Sequence, residues 1–110
     1  MTEEIFERRY TQRIAWTDNY TDLRPIIGFL KEIAGLIHEY DEECIKYVSI
    51  IQDDLYERRI IPFKIENARD WSKFESIPKD DVYKILYYVR LAFEYKEDDR
   101  WRKDCSNIRD

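Results

Sequence analysis

Apolar residues recur along most of this chain at intervals of three and four, the spacing that gathers side chains on one face of an α-helix. The fullest case lies near the C-terminus, where Val82, Ile85, Leu86, Val89, Ala92 and Phe93 follow the i, i+3, i+4, i+7 pattern. It predicts a helix from about Lys79 to Arg102, opened by Pro78 and Lys79, with Asp80 and Asp81 in its first turn. The opposite side of that helix is not simply charged, because Tyr83, Tyr87, Leu91 and Tyr95 run along it at steps of four. Two-sided apolarity predicts a helix packed on both sides. The competing reading is a Tyr stripe that serves as a secondary interface, where Tyr offers area and a hydroxyl at low entropy cost.

Earlier in the chain, Ile26, Leu30, Ile33 and Ile37 form a stripe widened by Ile27, Phe29, Ala34 and Leu36, broad enough for a central helix. Asp22 is its expected N-cap, with Pro25 tolerated in the first turn. Gly28 and Gly35 sit on its polar side, each costing about 1 kcal/mol against Ala. They mark either close approach of another backbone or unconstrained solvated positions. From His38 to Arg59 the pattern continues as Cys44, Val48, Ile51 and Leu55. Its phase matches the preceding helix, but Asp41 would then fall on the apolar face, so a break near Tyr40–Glu42 is expected, with Asp41 as a fresh cap.

Thr2 is placed to cap a first helix lined by Phe6, Tyr10 and Ile14, and TDNYTD separates it from the next. Pro62 should stop the third helix, leaving IIPFKIEN extended; ARDWSKFE then forms a short helical turn with Trp71 and Phe74 inward. The fold expected is therefore all-α, a compact bundle of four to five helices in one domain over residues 1–104, with a charged tail at 105–110. The alternative is α+β, with a small two-stranded hairpin from residues 9–17 and 59–66, because Tyr10, Ile14 and Trp16, and later Ile61, Phe63 and Ile65, also alternate. Two Gly and three Pro in 110 residues disfavour a sandwich or barrel built on many turns.

Charge changes the picture in one place. Between Glu39 and Glu57 stand seven acids (Glu39, Asp41, Glu42, Glu43, Asp53, Asp54, Glu57) and one base, Lys46: a net of −6, against −5 for the whole chain. On a helix, Glu39, Glu42, Glu43, Lys46, Asp53, Asp54 and Glu57 fall within an arc of roughly 120°. Such a face is most often simply solvated. Ile50 inside it, and Tyr47 on its shoulder, point to the other reading, a negative docking surface with an apolar anchor. The partner-binding set is then Glu39, Glu43, Lys46, Tyr47, Ile50, Asp53, Asp54 and Glu57, with Tyr83, Tyr87, Leu91 and Tyr95 as the secondary candidate. Arg8, Arg9 and Arg13 are interleaved with Glu3, Glu4 and Glu7, which suits surface ion pairs better than a phosphate track.

Candidate chemistry is sparse. One histidine, His38, excludes two-His metal motifs, and neither a P-loop nor a nucleophile elbow is present. Cys44 and Cys105 lack C-x-x-C spacing and read as ordinary thiols. Glu39-x-x-Glu42 and Glu94-x-x-Glu97 could chelate Mg²⁺ between facing helices. All-α nucleotide pyrophosphohydrolases are similar in using E-x-x-E followed by E-x-x-D, but here the gap is much longer and the last member is Glu97. No cofactor or metal is expected. No apolar run reaches the ~20 residues of a membrane span, and MTEEIFERRY lacks a signal-peptide core, so a cytoplasmic location is expected. By size, acidity and lack of motif, the chain has the profile of a stoichiometric inhibitor of a basic, nucleic-acid-handling protein, as toxin-immunity, nuclease-inhibitor and phage anti-defence proteins are. Its partner would be a basic protein such as a nuclease or toxin, not nucleic acid or membrane, with self-association open. An Mg-dependent pyrophosphohydrolase-like enzyme is the alternative.

Overall fold

In the computed structural model, which describes residues 2–38, 43–67 and 69–109 and their side chains except at 38, 71, 96 and 98–109, Thr2 opens the first helix. Helix α1 (Glu3–Ala15) is capped by the Thr2 hydroxyl, which accepts the Ile5 N–H at 3.3 Å, and Glu3 and Glu4 meet its positive end. Phe6 and Tyr10 bury its inner face. Helix α2 (Arg24–His38) follows, its first turn held by the Asp22 carboxylate, which accepts the Arg24 N–H at 3.1 Å. Helix α3 (Glu43–Glu57) buries Cys44, Val48, Ile51 and Leu55 as the spacing predicts. A seven-residue 3-10 helix (Asp70–Ser76) supplies the predicted short turn, and Phe74 packs inward. The place predicted for Trp71 lies outside the described side chains. Helix α4 (Asp81–Arg109) is capped by Asp80, which accepts the N–H groups of Val82 and Tyr83.

These elements make an all-α bundle of four α-helices, with no strand among the described residues. Helix α2 is central. It packs against α1, α3 and α4, and Ile26, Phe29, Leu30 and Ile33 are fully removed from solvent. Each such side chain stabilises the fold by about 1.5–3 kcal/mol relative to its exposed state. A continuous α2–α3 helix is ruled out by ring geometry. Phe6 stacks on Phe29 of α2 at 6.0 Å and on Tyr47 of α3 at 4.4 Å. In one straight helix those two residues would stand about 27 Å apart. The chain therefore reverses between them. The break itself, with the cap assigned to Asp41, lies outside the described residues.

The hairpin alternative does not form. Residues 9–15 are helical, and 59–66 carry no strand. The connector is held by a side chain instead: the Gln52 amide donates to the Ile65 carbonyl at 2.9 Å and accepts the Ile65 N–H at 2.6 Å. Gln52 is buried, and this pair of bonds substitutes for the strand partner the connector lacks. Ile61 and Ile65 can then bury against the core without a sheet.

Three helix ends differ from expectation, and the first is the start of α4, at Asp81 rather than Lys79, with Asp80 as its cap instead of within its first turn. Helix α3 stops before Pro62, through a Schellman turn in which Ile60 N–H reaches the Leu55 carbonyl (2.9 Å) and Arg59 N–H the Tyr56 carbonyl (3.0 Å). Arg59 occupies the left-handed position usually given to Gly, with φ 62°. At the other end, the backbone of α4 stays helical to Arg109, past the expected Arg102 boundary and through most of the segment read as a tail.

Candidate docking face on the third helix

The outward side of α3 carries Glu43, Lys46, Ile50, Asp53 and Glu57, all exposed. Ile50 keeps 37% of its surface in water, set among carboxylates as its position predicts. Glu39 lies outside the described residues. Two predicted members of the face are used elsewhere. Tyr47 is a core residue, 2% exposed and stacked on Phe6, because a helix arc that is marginal in the sequence is closed off by α1. Its hydroxyl donates to the Glu43 carboxylate at 3.4 Å.

Asp54 is an internal strut. It accepts the Tyr10 hydroxyl at 2.6 Å and the Arg58 Nε–H at 2.7 Å, and Arg58 Nη1 donates to the Tyr20 hydroxyl at 2.6 Å. Burial and the carboxylate raise the Tyr10 phenol well above its ordinary pKa, and Asp54 raises that of Arg58. The network joins α1, α3 and the 17–21 turn. There Asp18, Asn19 and Tyr20 adopt φ of 51°, 58° and 68°, a left-handed stretch that Asp and Asn tolerate better than Tyr. The Arg58 contact holds Tyr20 in that conformation.

Asp53 is also partly compensated, by Lys64 at 3.2 Å. Lys64 in turn lies 5.2 Å from the centre of the Tyr56 ring, which is 44% exposed. Tyr56 is the functional candidate that helical spacing missed. It stands beyond Asp53 at the margin of the acidic arc, at a helical angle that already turns it away from the Cys44–Leu55 stripe. On either side of it are shallow depressions, one lined by Arg59, Ile61 and Pro62, the other by Phe63, Lys64 and Lys73. The face thus has two apolar contact points, Ile50 and Tyr56, with Asp53 between them and Glu43 and Glu57 toward its ends.

The Tyr stripe on α4 divides. Tyr83 is half-buried against the core and meets Phe74 edge-on at 5.5 Å; Tyr95 is also half-buried against the core. Tyr87 is 39% exposed and edge-on to Tyr88, and Leu91 is half-buried. The 3-10 helix thus covers one end of the stripe and leaves Tyr87 open. Helical spacing did not single out Arg90, which is 5% exposed and pairs with Glu94 at 3.0 Å. Its signal was its place on the Val82–Leu86–Phe93 stripe with an acid one turn on. That ion pair engages Glu94 of the second acidic motif; Glu39 and Glu42 of the first lie outside the described residues. No group of three or more metal-ligating side chains occurs among the described residues, and no described helix is long and apolar enough to cross a membrane. Compared with known protein families, curated proteins and solved structures, the chain matches none.

Proposed function

We propose that this chain is a protein-binding module that docks a basic partner on the exposed face of α3 and acts by occlusion. The finer reading is a stoichiometric inhibitor of a nucleic-acid-handling protein, such as a toxin or nuclease, whose phosphate-binding cleft would be rich in Lys and Arg. The observation that carries it is Ile50, exposed at 37% among Glu43, Asp53 and Glu57. Exposed Tyr56 supports it, since Tyr is enriched among residues that dominate binding energy. Glu43 and Glu57 would steer the encounter, and Ile50 and Tyr56 would hold the complex.

Binding kinetics with the captured partner separate these roles. Neutralising Glu43 and Glu57 slows association, and the effect shrinks as salt screens the field. Ile50→Ala speeds dissociation at every salt concentration. Kinetics indifferent to all three changes would reduce the face to a solvated one. The enzyme alternative makes a different demand: metal-dependent NTP turnover lost in Glu39→Gln or Glu94→Gln while the chain stays folded.

A further inference from the structure

The outer side of α1 carries a second face of opposite charge. At about 100° per residue, Ile5, Arg8, Arg9, Gln12, Arg13 and Trp16 fall within an arc of roughly 140°, and Glu3, Glu4 and Glu7 all fall outside it. Two exposed large hydrophobics stand at the two ends of this face along the helix axis: Ile5 at 38% and Trp16 at 58%. Between them Arg8 is exposed, and Arg9 and Arg13, half-buried, are fixed in place against α2. Arg9 pairs with Glu32 of α2 at 2.7 Å and lies 5.2 Å from the Phe29 ring, while Arg13 lies between the Phe29 and Trp16 rings, at 5.7 and 5.3 Å. Arg8, Arg9 and Arg13 thus present more positive charge than Glu32 can offset. Beside them on α2, Gly28 and Gly35 leave open space where a side chain would stand.

The complement to this face is on the same chain. An exposed isoleucine among carboxylates on α3 matches exposed apolar residues among arginines on α1, along helices of similar length. We infer that the α1 face takes a second copy of this chain, whose α3 acidic face lies against Arg8, Arg9 and Arg13 between the Ile5 and Trp16 anchors. Because the two faces are different patches, the contact is heterologous. Such a contact rests on the same α3 face as the proposed function, but it needs no outside partner. Purified chain alone tests it, and failure here leaves the docking of an outside partner standing.

The test is analytical ultracentrifugation of three chains: wild type, Arg8→Glu/Gln12→Glu, and Glu43→Lys/Glu57→Lys. All four positions are exposed, and because Glu43 accepts the hydroxyl of buried Tyr47, circular dichroism and the denaturant midpoint first establish that each variant is folded. Wild type should self-associate reversibly, weakening roughly tenfold or more as salt screens the contact. Each variant alone should be monomeric, and an equimolar mixture of the two should associate, because each retains the face the other has lost and the two reversed faces are again opposite in charge. Trp16→Ser should weaken wild-type association while leaving its salt dependence in place. A wild type that stays monomeric at low salt and high concentration overturns the inference. So does association unaffected by Arg8→Glu/Gln12→Glu, or a mixture that remains monomeric. A monomeric chain whose α1 face instead captures a different acidic protein assigns the face to that protein and equally overturns it.

Discussion

Single side chains decide more of this fold than their type suggests. Gln52 is the plainest case. Its amide closes both hydrogen-bonding groups of Ile65 in a buried setting, so Gln52→Ala leaves an N–H and a carbonyl unsatisfied. A loss of about 2–4 kcal/mol is expected from that alone, read as a lower denaturant midpoint, while Gln52→Glu replaces a donor by a charge and should do worse. At Arg59 the opposite holds. A side chain at φ 62° works against the Schellman turn it closes, and Arg59→Gly should stabilise by about 1 kcal/mol. Tyr47 shows where sequence reasoning stops at this scale. Its helical angle puts it on the shoulder of the acidic arc, and only the arrival of Phe6 from α1, distant in sequence, makes it core. Asp54 is similar, since nothing local announces that Tyr10 and Arg58 converge on it.

At the level of elements, the helices were legible because each buries a stripe with the helical period. Helices α1, α2 and α4 also begin beside a polar residue that caps them, Thr2, Asp22 and Asp80 in turn. What the period could not supply was the ending of α3 and the support of the connector, since both depend on bonds to backbone groups rather than on apolar spacing. Apolar spacing also left two explanations for the glycines of α2, and the structure removes one of them. Among the described residues a methyl group added at either would meet nothing within 4 Å, so no close approach there requires them. Gly28→Ala and Gly35→Ala should each stabilise the monomer by about 1 kcal/mol, measured by chemical denaturation. A loss of stability at either would show a conformational need the backbone angles do not suggest. Of the candidate face, Ile50 and its acidic neighbours were readable from helical angle. Tyr56 was readable from the same angle, about 80° beyond the apolar stripe, but lies just outside the arc that the acids define.

For the molecule as a whole, acid should be the sensitive direction. Asp70 is held below the usual carboxylate range by the N–H groups of Glu66 and Asn67, Glu32 by the hydrogen bond from Arg9, and Asp22 by that from Arg24. A carboxyl depressed in the folded state contributes stability that is present above its unfolded value, about 4, and is lost as pH falls through the folded one. Thermal stability should therefore decline below about pH 4, and Asp70→Asn should flatten part of that decline. Function at this scale turns on which surface meets the partner. The two contenders, α3 around Ile50 and α4 around Tyr87, are exposed to similar degrees, 37% and 39%. Quantitative capture from cell lysate on immobilised wild type, Ile50→Asp and Tyr87→Asp chains compares them directly. A basic protein retained by wild type and Tyr87→Asp, and lost by Ile50→Asp, is the predicted result. The same protein retained by Ile50→Asp and lost by Tyr87→Asp would contradict it.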